Sequence, residues 1–278
     1  MTNVYVITGG TGGMGKATAI CLAKKGALLL ADMNEERLAE TVAELKEEHG
    51  ATTVEYMVAD ISNRESVKAL ADKAASMGEL AGLVHTAGLS PTMADWKKIM
   101  EVNALGTAYI LDEFINIAGP KTAAVMISSM SAHMVPATPE IRAAVKNPLV
   151  DGFMNTMEAM TQGTTQASYP FSKLAVVEMV KDLAWAWGEK GARLNSLSPG
   201  TIDTQMGRAE KAQSQQMAAL LAHTPLRREG DADEIAKVVE FLLSDAASYV
   251  TGTDILVDGG TIANMARMRQ AMQQQQQQ

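Results

Sequence analysis

The sequence predicts an α/β domain, a doubly wound parallel sheet of seven strands with helices on both faces. Three observations predict it. Short apolar runs alternate with charged or amphipathic stretches of helical length along the chain, and that alternation implies right-handed crossovers onto a parallel sheet. A glycine cluster directly follows the first apolar run and opens the first helical stretch. No linker or shift in composition divides the chain, so residues 1–265 read as one domain, with a glutamine-rich tail at 266–278 that has no core to join.

The elements follow in order. Val4-Tyr5-Val6-Ile7 is a short apolar run before glycines, the pattern of a buried parallel strand. A helix over 14–25 leads to a strand at 27–31, which ends at Asp32. A charged helix over 35–49 precedes a strand at 53–59, which ends at Asp60. A helix over 63–77, a strand around 83–85, a long helix over 95–118 and a strand at 123–127 come next. A helix over 169–187, a strand at 193–197, a helix over 233–243 with an acidic first turn and a strand at 254–257 complete the set. The stretch 131–168 breaks the rhythm with Pro136, Pro139, Pro148, Gly152 and Gly163, and reads as an insertion holding one or two short helices.

Composition narrows the function. Apolar residues make up 47% of 278, a globular value, and no apolar run is long enough to cross a bilayer. The N-terminus shows no basic stretch followed by an apolar one, so no secretory signal is expected. A single cysteine, Cys21, leaves no internal disulfide, which suits a cytoplasmic protein. A net charge of −8 argues against a nucleic-acid partner. The four histidines have no metal-ligand spacing, so no metal is expected.

Thr8-Gly9-Gly10-Thr11-Gly12-Gly13-Met14-Gly15 lies between the first strand and the first helix. Glycines there let the backbone approach a pyrophosphate, whose charge is favoured at a helix N-terminus. Asp32, 17 residues after Gly15 and followed by Met33, is placed to accept from the adenosine ribose hydroxyls and to repel a 2′-phosphate. This favours NAD over NADP. The same position also suits a helix cap before Asn34-Glu35. Asp60, with Ile61 beside it, can either cap the next helix or touch adenine. Tyr169 and Lys173 are four residues apart, so a helix puts phenol and ammonium on one face. A free phenol is a poor base near neutrality, and an adjacent cation favours the phenolate.

Taken together, these motifs resemble the short-chain dehydrogenase/reductase family over nearly the whole chain. Thr8-Gly9-x-x-x-Gly13-x-Gly15 is similar to the family's cofactor loop, and Asp60-Ile61 to its adenine-contact pair. His85-Thr86-Ala87-Gly88 stands where the family has Asn-Asn-Ala-Gly; Ala87 and Gly88 keep the pattern, and the lost asparagines put its sheet-stabilising role in question. The resemblance implies a Rossmann domain and a catalytic set of Asn103, Ser129, Tyr169 and Lys173. Tyr169 would exchange the proton, Lys173 would hold the nicotinamide ribose, Ser129 would hydrogen-bond the substrate oxygen, and Asn103 would hold a water linking Lys173 to solvent. Ser128 would be structural. Pro199, Gly200, Ile202 and Thr204 would form the nicotinamide-side loop. The Met residues read either as core filler or as a pliable substrate lining, and Met130, Met134, Met154 and Met206 lie near the expected mouth, so Met130 and Met206 are expected to touch substrate. Ser129 and Tyr169 are 40 positions apart, a wider interval than is usual for the family, and the flanking pattern is closest to bacterial 3α-hydroxysteroid dehydrogenase/carbonyl reductases.

The resemblance thus implies an NAD-dependent oxidoreductase for a secondary alcohol or ketone, with a hydroxysteroid or bile acid as the expected substrate. Another small ketone or a 3-oxoacyl group is the alternative. A cofactor-binding regulatory module without catalysis is a second class, and such a module could lose any of the four catalytic residues. A homo-oligomer, dimer or tetramer, is expected, paired through the two long helices or through the last helix and strand. The insertion, with its Met side chains and Phe153, is expected to join residues 204–221 in a wall that sets substrate size, or else to fill a subunit interface.

Overall fold

The computed structural model describes residues 1–208, 220–222, 224–265 and 267. The expected tail at 266–278 and residues 209–219 of the expected substrate wall therefore lie outside the described residues, Arg267 excepted. Seven parallel strands form one sheet: β1 (Asn3–Thr8), β2 (Ala27–Asp32), β3 (Val54–Val58), β4 (Glu79–His85), β5 (Ala123–Ile127), β6 (Arg193–Pro199) and, last in the chain, β9 (Asp254–Val257). Their order is β3-β2-β1-β4-β5-β6-β9. A separate short parallel pair, β7 (Ile202–Asp203) with β8 (Gly230–Asp231), adjoins the end of β6. The strand order reverses direction between β1 and β4, and ligands bind in such sheets at the crevice outside the strand C-termini there.

The helices on one face are α1 (Gly13–Leu22), α2 (Glu35–Glu47) and α9 (Ala232–Leu243); those on the other include α3 (Arg64–Met77) and α8 (Thr165–Glu189). Each face has its own core. Leu22, Leu28, Leu38 and Val239 close one, and Leu29, Leu70, Phe114 and Val177 the other. Strands buried on both faces explain why β2 reads as the unbroken run Ala27-Leu28-Leu29-Leu30-Ala31.

The structure departs from the sequence reading in two helices that matter for the site, and the insertion holds short helices as expected. The expected helix over 95–118 is three pieces: α4 (Trp96–Met100), a π turn (Glu101–Leu105) and α5 (Gly106–Phe114). One extra residue per turn leaves Val102 and Ala104 buried, so the apolar period gave no warning. The helix expected to start at Tyr169 starts at Thr165, carrying Pro170 one turn inside. The insertion contains a 3₁₀ turn (Met130–Met134), α6 (Pro139–Val145) and α7 (Phe153–Thr161).

The insertion is packed onto the domain. Arg142 and Lys146 on α6 pair with Glu178 and Asp182 on α8, the same four-residue step on both helices. Val145, Phe153 and Met157 are buried in the core that α8 shares with α5. Phe153 and Met157, expected as adaptable substrate surface, are core residues instead.

Candidate active site

A cleft of about 640 Å³ opens at the switch point. Its floor is the glycine loop. Gly9 has φ +68, and a Cβ there would come within 2.7 Å of the Ala87 nitrogen and the Thr86 hydroxyl. A Cβ on Gly15 would be driven into the Gly9 carbonyl oxygen, and Thr204 packs directly on Gly13. Gly12, Gly13 and Met14 line the cleft at the start of α1, and the N-cap Gly12 offers no side chain to the first-turn N–H groups. A side-chain-free cradle at an uncapped helix N-terminus fits a dinucleotide pyrophosphate.

Asp32 accepts from the Thr11 hydroxyl (2.6 Å) and amide (3.2 Å) through one oxygen and from the Met33 amide (2.8 Å) through the other. It is not the cap of α2, because Asn34 fills that role by accepting from the Arg37 amide. Arg37, unremarked in the sequence, donates to the Thr11 carbonyl at 2.8 Å and lines the cleft beside Asp32 and Met33. Its position in the first turn of α2 turns it back towards the end of β2.

Asp60 and Ile61 line the far end. The Asp60 carboxylate accepts from the backbone and hydroxyl of Ser62, so it shapes the turn, while Asn63 caps α3. Partial burial opposes ionisation of Asp60, but the two Ser62 hydrogen bonds and the Lys98 charge outweigh it and hold the carboxyl below its ordinary range.

The chemistry-bearing residues come from three elements, α8, the 3₁₀ turn and the π turn. Lys173 is buried on α8; its ammonium donates to the Ile127 carbonyl at 3.1 Å and lies 5.9 Å from the centre of the Tyr169 ring. Ser128, as expected of a structural residue, donates to the Lys173 carbonyl at 2.8 Å. Ser129 opens the 3₁₀ turn, which packs against α8. Its oxygen accepts from the Ser131 amide at 3.2 Å, which leaves the hydroxyl proton to donate to an oxygen, as an oxyanion donor must. Asn103, on the π turn, accepts from the Leu89 amide (2.8 Å) and donates to the Leu89 carbonyl (2.9 Å) and the Ser172 hydroxyl (3.1 Å). Its side chain thus clamps the segment after Gly88.

Other expected site residues lie elsewhere. Thr8 is buried beneath the loop, and Met130 is buried rather than on the cleft wall. Pro199 ends β6, Gly200 packs on Asp258, and Ile202 is buried in β7. Ala87, Gly88, Thr204 and the half-exposed Met206 line the cleft. Its apolar wall also includes Val102 and, in a stretch the sequence reading passed over, Leu89 and Met93, and none of its lining residues comes from 134–165.

The lost asparagines are replaced in kind. Thr86 donates to the Thr8 carbonyl (2.8 Å) and the Gly9 carbonyl (3.2 Å), tying β4 to the loop. His85 is buried, and burial, with the Lys173 charge, pushes its pKa down to about 3. The unfolded chain then binds a proton near pH 6.5 that the folded chain refuses until about 3. Stability contributed by the neutral ring is complete above pH 6.5 and is lost as pH falls towards 3, at up to about 1.4 kcal/mol per pH unit. Urea unfolding of His85→Asn is expected to show a shallower acid loss than the unaltered chain; an identical slope refutes this role.

Comparison with known proteins agrees with the geometry. The short chain dehydrogenase family matches residues 3–163, and the description enoyl-(acyl carrier protein) reductase matches residues 153–261. Short-chain dehydrogenase/reductase bsc3 of Alternaria brassicicola is 33% identical, the alignment covering 96% of this chain and 98% of that one. The 3-alpha-hydroxysteroid dehydrogenase/carbonyl reductase of Comamonas testosteroni is 35% identical over 75% of this chain and 84% of its own length. The crystal structure of levodione reductase superposes with a TM-score of 0.78 at 28% identity, covering 94% of this chain and 98% of that one. With the sheet order, the glycine cradle and these matches agreeing over nearly its whole length, the chain belongs to the short-chain dehydrogenase/reductase family of oxidoreductases.

Proposed function

We propose that the protein interconverts a secondary alcohol and a ketone with NAD, and that its substrate is a largely apolar ring compound of hydroxysteroid or bile-acid type. The observation that carries the redox reading is the buried Lys173 ammonium beside the Tyr169 ring, next to the Ser129 turn. The bound nicotinamide supplies or accepts the hydride. Tyr169 takes the alcohol proton in oxidation and returns it in reduction. Ser129 donates to the substrate oxygen as charge builds there. Lys173 favours the phenolate by its charge. The substrate class rests on the apolar wall of Leu89, Met93 and Met206 and on the likeness to the Comamonas testosteroni enzyme. Levodione reductase and galactitol 2-dehydrogenase are also relatives, at 30% identity each, so the deciding experiment is NADH absorbance with a panel of 3-hydroxysteroids, cyclic diketones and sugar alcohols. A kcat/KM for sugar alcohols above that for steroids overturns the substrate class.

The choice of NAD rests on Asp32. Asp32→Ala removes the ribose acceptor and a charge, so kcat/KM with NAD is expected to fall about 10- to 100-fold. NADP is expected to gain relative to NAD, because Arg37 remains at the same edge of the cleft. A better kcat/KM with NADP than with NAD in the unaltered protein overturns the choice.

We also propose a cytoplasmic homo-oligomer. With α6 and α7 packed on α8, the long-helix face is partly covered by the chain itself. The edge strand β9 keeps Ile255, Leu256 and Val257 only half-buried, and Phe241 on α9 is exposed. Pairing through that side gives a dimer or larger species by light scattering at micromolar concentration; a monomer refutes it. Among the described residues no helix is long and apolar enough to cross a membrane.

A further inference from the structure

The ring of His85 lies between two hydroxyls on different elements. Nδ1 is 2.6 Å from the Thr8 hydroxyl, at the end of the strand beneath the glycine loop, and Nε2 is 3.1 Å from the Thr107 hydroxyl on α5. Thr107 in turn donates to the Asn103 carbonyl at 2.7 Å. The protons have one consistent arrangement. The only hydroxyl proton of Thr107 goes to Asn103, so its oxygen must accept from Nε2–H. Nδ1 is then bare and accepts from Thr8. The chain of hydrogen bonds runs one way, from β1 through β4 to the π turn.

We propose that His85 is a positioning residue which, acting through Thr107, fixes the π turn that carries Asn103 and so sets the Asn103–Lys173 edge of the active site. The proposal rests on Asn103 belonging to the catalytic set. A π turn is a rare, wide turn that needs support from its surroundings, and here the Gly106 amide reaches back to the Glu101 carbonyl. The Asn103 carbonyl inside that turn is held by Thr107, and Thr107 is held by His85. The side chain of the same Asn103 carries the Leu89 segment of the cleft wall. A Cβ built on Gly88 would lie 3.1 Å from Asn103 Oδ1 and 3.3 Å from Lys173 Nζ, so these two groups flank one narrow gap. Rotation of the π turn moves Asn103 against Lys173 at one end and shifts Leu89 at the other. Histidine suits the task because its two nitrogens sit on opposite edges of one flat ring. Asparagine carries both polar atoms on a single carbon, a shorter span than the two edges of the ring. Lys173 is the charged group that acts on the ring, and a second positive charge on His85 would both oppose it and leave Nδ1 unable to accept from Thr8.

The test uses the full chain. Thr107→Val keeps the shape of the side chain and cuts the hydrogen-bond chain without touching the core around His85. It is expected to lower kcat about tenfold while KM for the nicotinamide cofactor changes less than about twofold. The pH–rate profile for alcohol oxidation is expected to move to higher pH. Thr107→Ser restores the hydroxyl and is expected to return both values to within about twofold of the original. His85→Asn placed in the Thr107→Val background is expected to add less than about twofold, because the two residues act as one unit. Additive losses, or a fall in thermal midpoint with kcat and pH profile unchanged, overturn the proposal. Nitrogen-15 spectra need no substrate. With four histidines in the chain, His85→Asn identifies the His85 signals, which are expected to show a bare Nδ1 and no titration from about pH 5 to about pH 8. Titration inside that window, or an Asn103 side-chain amide signal unmoved by Thr107→Val, also overturns it. If the unaltered chain turns over no alcohol or ketone, the oxidoreductase reading fails by itself, and the nitrogen-15 spectra still decide the role of His85.

Discussion

Tyr169→Phe is expected to lower turnover about a thousandfold with little change in NADH affinity. The substitution keeps the ring beside Lys173, so packing of α8 against the 3₁₀ turn is preserved. It removes the phenol proposed to take the alcohol proton and leaves the Ser129 hydroxyl in place. General acid–base catalysis contributes about 10²- to 10⁴-fold in such sites, and the proposed donor Ser129 is untouched by the change. NADH fluorescence titration and single-turnover absorbance measure the two effects separately. Residual turnover within about tenfold of the original removes Tyr169 from its role.

Gly15→Ala is expected to lower cofactor affinity about a hundredfold, close to the upper end of the roughly 1–3 kcal/mol that overpacking costs. The added methyl meets the Gly9 carbonyl oxygen, which is backbone and cannot swing aside as a side chain would. Gly9, already at φ +68, must then shift, and it is held on its other side by Ala87 and Thr86. The loop opens where a pyrophosphate needs it closed. NADH titration together with circular dichroism checks this outcome. A folded variant with unchanged NADH affinity shows that the loop is not the dinucleotide cradle.

The residues that the sequence made legible are those whose partners lie within one element or at its end. Tyr169 and Lys173 share a helix face, and the glycine loop is a strand–turn–helix unit. Apolar runs marked β1, β2, β4 and β5 because those strands are covered on both faces. What stayed hidden depends on contacts between distant elements. The His85–Thr107–Asn103 chain joins β4, α5 and the π turn, and nothing at position 85 alone announces a partner at 107. Arg37 reads as an ordinary first-turn residue until α2 is folded back onto Thr11. Phe153 and Met157 were misread for a physical reason: the same soft apolar side chains serve a pliable pocket or a core, and only the docking of α7 decides between them.

The place of the insertion also bears on chain entropy. Ser129 and Tyr169 bound a long excursion of the backbone, yet Ser129 is fixed by its own turn and Tyr169 by a helix that begins before it. The two ends are set independently of what lies between them. Doubling the length of such a connection adds only about 0.6 kcal/mol of loop closure, and here α6 and α7 offset it by burying Val145, Phe153 and Met157. The segment can therefore lengthen or change its outer surface over evolutionary time at small thermodynamic cost, provided the docking of Val145, Phe153 and Met157 is kept.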